Sequence, residues 1–242
     1  MAVTLQPNIK NMRSDMNRTK EVTEETIEKT EKKTEKAAKK AAKKSFSELE
    51  RYQKIGIILL MVVISGATGW IWEFLLAEFE GGFQHFYLTG GNILPWMNIY
   101  AYGALLILAV CYRFRKSPLK VFLTGALVTG TLELISGWLV YTVGNGTRYW
   151  NYYEKWYGWG TFGGFICPAS VIAFGLGAML VVYGLVPWLI RVATRMSKRA
   201  FLSLSITLFT VFMIDDITNL TLKNLGLPYA QDFYKSLGWI FL

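Results

Sequence analysis

Three carboxylates in apolar stretches are the residues of this chain whose types and positions could do chemistry. Glu73, Glu133 and Asp215 each lie within or at the end of a long apolar run. An ionisable side chain is costly inside a bilayer, and it usually faces the interior of a helix bundle or a water-filled cavity. Such carboxylates could bind a polar or cationic ligand, or relay protons. They could equally form hydrogen bonds between helices or reach water at the membrane surface, and both interpretations stay open here.

Helical spacing places small and polar residues beside Glu133. Thr129, Gly130, Ser136 and Gly137 lie three or four positions away from it, which puts them on one face of a helix. A face of this kind suits close contact with other helices in a membrane bundle. We therefore expect Glu133 to face the interior of the bundle, in the outer half of its span.

Candidate partners for these acids come from a loop rather than from the apolar runs. No Lys or Arg lies deep in a run, so Arg148 in the following loop is the expected partner of Glu133. The loop is rich in Trp and Tyr, which is typical of the aromatic belt at a membrane surface; a wall that contacts a sugar or a lipid is the alternative. The predicted polar cavity comprises Glu73, Asn98, Glu133, Arg148, Trp150, Asn151 and Asp215.

Five apolar runs supply the elements that must position these residues. A helix needs about 20 apolar residues to cross a bilayer, and each run is near or above that length. We therefore predict an all-α fold, a polytopic membrane helix bundle of about five transmembrane helices within residues 55–242. Pro168 is expected to kink the fourth span. The predicted spans are residues 55–77, 95–112, 119–141, 161–190 and 200–222.

The distribution of basic residues predicts the orientation of the chain. Lys and Arg favour the cytoplasmic side of a membrane. They are concentrated before the first run, between the second and third runs, and between the fourth and fifth runs. This bias predicts a multi-pass protein with its N-terminus in the cytoplasm and its C-terminus outside.

Residues 1–54 form a charged segment before the first run. They hold fourteen Lys or Arg and nine Asp or Glu, and no apolar stripe runs through residues 18–50. We expect a cytoplasmic arm, either a solvated charged helix stabilised by i,i+4 pairs or a disordered tail. Contact with anionic lipid or a cytosolic partner is the alternative. Because the rest of the chain is membrane-like, the net charge of +9 favours a lipid surface over nucleic acid.

Several kinds of site are excluded by what the chain lacks. His85 is the single histidine, which excludes a metal site with several histidine ligands. The sequence has no GxxxxGK[ST] phosphate loop, so this chain does not bind ATP in the usual P-loop way. With no other catalytic motif present, we expect neither a catalytic residue nor a cofactor.

Motifs in a fixed order along the chain resemble a known family. LPWMNIYAYGALL, at residues 94–106, resembles the signature GPxxPIYGFGALL, and Glu133 stands at an acidic position of the same family. GWIWE at 69–73, RYWNY at 148–152 and GFIC at 164–167 resemble its GxxxE, RLWDYS and GYIC segments. The family is bacterial and is catalogued as ABC-transporter type IV permeases (CmpB-like). Asn98 replaces the signature proline and Asn151 replaces the aspartate of WDYS, so the resemblance implies no ionic role for residue 151.

This resemblance implies a permease subunit of an ABC transporter in a bacterial cell membrane, with an outward-facing polar cavity. Because the chain lacks a P-loop, a separate ATPase subunit is an implied partner, beside membrane lipids and further subunits of an oligomer. Two alternatives remain at this point. One is a membrane-embedded enzyme that acts on a lipid or lipid-linked substrate through an outer carboxylate. The other is a structural or regulatory membrane partner.

Overall fold

The computed structural model of the protein describes residues 45–82, 87–88, 92–146 and 148–241. Residues 1–44, most of the predicted charged arm, lie outside the described residues. The end of that predicted arm belongs to the bundle: Phe46–Glu48 forms a 3₁₀ turn, and the N–H of Phe46 donates to the Tyr112 hydroxyl at 3.1 Å. Leu49 is buried beside it. The folded bundle therefore begins before residue 55.

Helices dominate the described residues, and two short strands accompany them. In chain order the elements are α1 (Arg51–Glu80), β1 (Tyr87–Leu88), α2 (Asn98–Val110), α3 (Pro118–Val143), α4 (Pro168–Leu180), α5 (Val186–Arg195), α6 (Lys198–Asn224), α7 (Ala230–Ser236) and β2 (Ile240–Phe241). A π-helical turn, Val181–Leu185, joins α4 to α5. The strands are parallel, with Tyr87 opposite Ile240 and Leu88 opposite Phe241.

The predicted helical membrane bundle is confirmed. Within the described residues, four helices are long and apolar enough to cross a membrane, namely α1, α3, the continuous helix Pro168–Arg195, and α6. The second predicted span forms the shorter α2, whose 13 residues rise about 20 Å, less than the roughly 30 Å of a bilayer's hydrocarbon core. Residues 92–97 before it are not helical, because Pro95 disfavours helical backbone in the residue that precedes it.

The fourth predicted span begins later than predicted. Residues 161–167 belong to the loop between α3 and α4, and Pro168 occupies the start of α4 instead of kinking a longer helix. The fixed φ of proline suits the first helical position, where its missing N–H costs nothing. Three glycines with positive φ precede it, and this backbone conformation cannot continue a right-handed helix. They are Gly160, Gly163 and Gly164.

The π-helical turn accommodates a proline in the middle of the fourth long helix. Pro187 follows this turn, and a proline ring inside an α-helix would clash with the carbonyl four residues earlier. The wider turn relieves that clash without ending the helix. Tyr183 within the turn donates its hydroxyl to the carbonyl of Arg115 at 3.1 Å, which ties this helix to the connection between α2 and α3.

Close helix contacts hold the bundle together. α1 packs against α2, α5 and α6, whereas α3 packs mainly against α4. A Cβ on Gly56 would meet the ring of Phe201 at 2.3 Å, and a Cβ on Gly125 would meet that of Ala178 at 2.2 Å. Between helices in a bilayer, such van der Waals packing replaces the hydrophobic driving force that acts in water.

The helix ends gather at two opposite ends of the bundle. The basic end holds the starts of α1, α3 and α6 with the ends of α2 and α5, and there Gln53 donates to the carbonyl of Ala193 at 3.0 Å. The loop end holds the ends of α1, α3 and α6, the starts of α2 and α4, and the 144–167 loop. The basic end takes its name from Arg51, Lys54, Arg113, Arg115, Lys116, Lys120, Arg191, Arg195, Lys198 and Arg199.

Candidate functional site

One buried stripe of α3 carries the candidate site. Val121, Gly125, Thr129, Glu133 and Gly137 follow one another at intervals of four residues, and all are buried. Of the small and polar face predicted beside Glu133, Thr129, Gly130 and Gly137 are buried inside the bundle, and Ser136 is half-buried. Glu133 itself is 7% exposed, in the half of α3 that leads to the loop end.

Two hydroxyl groups hold the Glu133 carboxyl group. The Tyr152 hydroxyl donates to Oε1 at 2.7 Å, and Ser170 Oγ lies 3.1 Å from Oε2. We call Glu133, Tyr152 and Ser170 the Glu133 cluster; it joins α3, the loop and the first turn of α4. Burial, followed by the adjacent Glu133 carboxyl group, raises the pKa of Tyr152 above its usual range. The phenol therefore stays protonated and acts as a hydrogen-bond donor.

The Ser170 hydroxyl has one proton and two acceptors within reach. Its Oγ lies 2.9 Å from the carbonyl oxygen of Cys167 and 3.1 Å from Glu133 Oε2. A hydroxyl donates one hydrogen bond but accepts two. A proton on Glu133 would let the carboxyl group donate to Ser170 while Ser170 donates to Cys167. The cluster can thus accommodate either a carboxylate or a carboxylic acid without leaving a polar group unpaired.

The expectation that Arg148 pairs with Glu133 is wrong. Arg148 donates to the carbonyl of Gly163 at 2.7 Å. Its guanidinium group lies 4.6 Å from the ring centroids of both Tyr141 and Phe165, and contacts between a cation and aromatic faces of this kind are favourable. Arg148 therefore fastens the loop to itself, and the described partners of Glu133 are hydroxyl groups.

Trp150 and Asn151, which the sequence also placed in a polar cavity, build the loop that positions Tyr152. The indole N–H of Trp150 donates to the carbonyl of Phe165 at 3.0 Å. The Asn151 side chain caps the 3₁₀ turn Tyr152–Glu154 and donates to Glu154 at 2.6 Å. Both residues hold the backbone from which Tyr152 extends toward α3.

Glycine is required where the loop crosses itself. Gly164 has a φ of +75°, and a Cβ there would lie 2.7 Å from the Arg148 guanidinium and 2.8 Å from Asn151. A Cβ on Gly158 would lie 1.7 Å from the carbonyl oxygen of Tyr152. The loop can follow this path only because these positions carry no side chain.

A second carboxyl–tyrosine pair comes from α1 and α2. The Tyr100 hydroxyl donates to Glu73, and we call these two residues the Glu73 pair. Gly69, one turn before Glu73, admits the Tyr100 ring, since a Cβ there would lie 2.1 Å from it. Both carboxyl groups are thus held by tyrosines at the loop end of the bundle.

The 144–167 loop also reaches the end of α1. Lys155 forms an ion pair with Glu80. Tyr157, two residues later, is partly buried, and burial followed by the nearby carboxylates of Glu80 and Glu73 raises its pKa above the usual range. The loop therefore connects the surroundings of the Glu73 pair with the Glu133 cluster.

Asp215 belongs to a different set of contacts. Its carboxylate accepts hydrogen bonds from the backbone N–H groups of Ile93 at 3.1 Å and Leu94 at 2.9 Å. The Trp96 indole donates a third at 2.9 Å, and Asn219 a fourth at 2.6 Å. These donors occupy the carboxylate's acceptor positions, so Asp215 anchors residues 92–97 on α6, in agreement with the interpretation of hydrogen bonding between helices.

Asn98 lies near the same anchor, where it donates to Asp216. Asn219 extends the anchor to α7 by accepting from the N–H of Ala230 at 3.0 Å.

The seven predicted site residues have three different structural settings. Glu73 and Glu133 form the two carboxyl–tyrosine groups; Arg148, Trp150 and Asn151 build the loop; Asn98 and Asp215 join α2 and its approach to α6.

Sequence reasoning missed the three hydroxyl partners, Tyr100, Tyr152 and Ser170. Tyrosine near a span end indicated a membrane-surface belt, and nothing local distinguishes a buried member from an exposed one. The available signal for Tyr152 is its place in the RYWNY segment that carries the family resemblance. For Ser170 it is the distance of two residues from Pro168, which predicts a position in the first turn of a helix.

The arrangement offers anionic and hydroxyl groups to a ligand. Carboxylates near aromatic rings suit a cation or a proton, and the hydroxyls suit a polar group. Within the residues that the structure describes, no group of three or more His, Cys, Asp or Glu side chains could hold a metal ion.

Comparison with known proteins identifies a family for the chain. A family described as "Putative ABC-transporter type IV" matches residues 60–220, which is more than half of the chain. The match includes both the Glu73 pair and the Glu133 cluster. No curated protein and no solved structure matches the chain.

Proposed function

Because the chain belongs to the ABC-transporter type IV family, we propose that it is the membrane-spanning permease subunit of a transporter. In this proposal the Glu133 cluster and the Glu73 pair form the inner surface of a polar cavity that binds a polar or cationic ligand from outside the cell. The observation that carries it is the buried Glu133 carboxyl group, whose described partners are hydroxyls rather than a cation. A ligand or a proton would supply the missing positive charge.

We further propose that the protein lies in a bacterial cell membrane with the basic end in the cytoplasm. The positive-inside tendency of membrane proteins supports this orientation, since Arg113, Arg115, Lys116 and the residues around Lys198 gather at that end. The N-terminus would then be cytoplasmic and the C-terminus outside, and the loop end would face the outer surface.

The energy source in this proposal is a separate ATPase subunit, because the chain has no phosphate loop of its own. The ATPase would dock at the basic end, where the turn Tyr112–Phe114 lies against Phe46. Membrane lipids surround the bundle, and further copies of the chain complete an oligomer. Nucleic acid is not among the proposed partners.

Purification of the full chain from its native membranes tests this proposal. An ATP-hydrolysing subunit should co-purify, and its activity in lipid vesicles should change when the transported ligand is added. The variant Glu133→Gln should keep the association and lose the ligand response, because it removes the charge but keeps the shape of the side chain. Absence of any associated ATP hydrolysis under conditions that preserve the complex would contradict a permease role.

A membrane-embedded enzyme is the second candidate function. The short connections at the basic end favour it, since residues 196–197 alone join α5 to α6 and leave little surface for an ATPase to move. In that case Glu133 would act as general acid or base on a lipid or lipid-linked substrate. Turnover of such a substrate by the isolated chain, abolished in Glu133→Gln, would establish the enzyme and exclude the need for a partner.

A further inference from the structure

The bundle contains two groups of helices that meet at the loop end. In the first group, α1 packs against α2, α5 and α6; in the second, α3 packs mainly against α4 and continues into the 144–167 loop. The two groups are joined away from the loop end, because α4 continues into α5 within the helix Pro168–Arg195 and α2 also contacts α3. The Glu73 pair belongs to the first group and Glu133 to the second. We call the boundary between the two helix groups at the loop end, with Glu73 on one side and Glu133 on the other, the seam.

The 144–167 loop is attached firmly to the second group. Within the loop, Arg148 donates to the carbonyl of Gly163, and the Trp150 indole donates to the carbonyl of Phe165. Tyr152 then ties it to Glu133 on α3. Because these bonds cross the loop from side to side, we expect the loop to move together with α3 and α4 if the two groups separate.

An ion pair between described residues crosses the seam from this loop to α1. Lys155 of the loop pairs with Glu80 near the end of α1, and their side chains are 34% and 20% exposed. A partly exposed ion pair adds little to the stability of a fold and is weakened readily by water and salt. The two partners of this ion pair can therefore separate at little cost to the fold.

We propose that Lys155 and Glu80 form a latch that holds the seam closed over the Glu73 pair and the Glu133 cluster. Release of the latch separates the loop and α3 from the end of α1 and admits water and ligand to both carboxyl groups. The inference rests on the proposed function only for the identity of what is admitted. The latch itself is a property of the two helix groups.

Distance measurements between spin labels test the latch on the full chain in lipid vesicles. Phe79 and Trp156 lie next to the latch residues and are 65% and 77% exposed, so labelled cysteines at these positions disturb little packing. The natural cysteines Cys111 and Cys167 are buried, and a labelling control on the unmodified chain checks that they stay unlabelled. Lys155→Glu should shift the distance between the labels at 79 and 156 by several ångströms toward longer values.

The charge-swapped double variant Lys155→Glu with Glu80→Lys restores the attraction and should return the distance to its original value. A matched pair of labels at Leu139 on α3 and at Trp156 lies within the second group, and its distance should stay unchanged in every variant. The latch is overturned if Lys155→Glu leaves the distance across the seam unchanged, if the double variant fails to restore it, or if the matched pair shifts equally, which would indicate unfolding of the loop. None of these readings depends on an ATPase or a substrate, so failure of the proposed function would not mimic failure of the latch.

Discussion

At Glu133, a buried carboxyl group has a hydroxyl partner for each oxygen: Tyr152 at Oε1 and Ser170 at Oε2. Hydroxyl donors tolerate both the charged and the neutral form of the acid, whereas a buried arginine would have committed it to the charged form. This distinction matters for function, because a group that can gain and lose a proton or a cation is more useful in a transport or catalytic site than a permanent ion pair.

Substitutions at Glu133 should separate shape from charge. Glu133→Gln keeps an oxygen that accepts from Tyr152, so we expect a bundle with nearly unchanged thermal stability in detergent. Glu133→Leu leaves the hydroxyl of the partly buried Tyr152 without its Glu133 acceptor, which should lower the free energy of unfolding by about 1–3 kcal/mol. Thermal unfolding followed by size-exclusion chromatography measures both. Aggregation of the glutamine variant beside a well-behaved leucine variant would show that the residue serves packing alone.

Double-mutant cycles should show that Glu133 is coupled to Tyr152 and not to Arg148. Combining Glu133→Leu with Tyr152→Phe removes both partners of one hydrogen bond, so the pair should cost about 1 kcal/mol less than the sum of the single changes. Arg148→Ala breaks the loop bond to Gly163, and its effect should add to that of Glu133→Leu within about 0.5 kcal/mol. The unfolding assay is the same, and strong coupling to Arg148 would contradict the observed contacts.

Between elements, the contact of α3 with α4 depends on the absence of a side chain. A Cβ on Gly125 would lie 2.2 Å from the Cβ of Ala178, and neither atom can rotate away from its helix. The same pair of helices presents Ser170 to Glu133. The spacing of α3 and α4 therefore sets the geometry of the Glu133 cluster.

Gly125→Ala should consequently destabilise the bundle. Overpacking of this kind typically lowers the free energy of unfolding by about 1–3 kcal/mol, and the melting temperature in detergent should fall accordingly. Gly177→Ala is the matched control, because Gly177 lies within the partner helix α4, next to Ala178, and a Cβ there meets nothing within 4 Å. The control should be neutral or slightly stabilising, since alanine favours helix more than glycine. Equal effects of the two substitutions on the melting temperature would contradict the tight contact between Gly125 and Ala178.

On the scale of the whole molecule, the alternation of helix directions collects the basic residues at one end and the aromatic loop at the other. The membrane potential and the lipid headgroups act on the whole bundle, so its orientation follows from charge differences summed over the connections. In the orientation proposed above, the Glu73 pair and the Glu133 cluster lie on the outer side.

Cysteine labelling in intact cells tests this orientation. A membrane-impermeant thiol reagent should modify a cysteine at Trp156, in the loop, and spare one at Lys116, at the basic end; both positions are exposed. Cys111 and Cys167 are buried and should contribute little background. Labelling at Lys116 with protection at Trp156 would reverse the proposed orientation.

Local features of the sequence sufficed for the spans and for the inward position of Glu133. Apolar length predicts membrane helices, and the intervals from Thr129 to Gly137 predict one helix face, because both depend only on the regular rise and turn of a helix. The length of an apolar run alone did not predict that α2 is short or that α4 starts late. They follow from the backbone preferences around Pro95 and Pro168 and from the positive φ of the glycines before α4.

Only the tertiary structure decided which groups meet. Arg148 was the nearest cation in sequence, but the loop crosses itself, directs Arg148 to Gly163 and delivers Tyr152 to Glu133. Asp215, like Glu133, is a carboxylate within a long apolar run of the sequence. Its position on α6, however, brings it against the backbone N–H groups of residues 93 and 94. Hydrogen bonds between residues far apart in the chain depend on the relative placement of helices and loops, and neither periodicity nor residue type contains that placement.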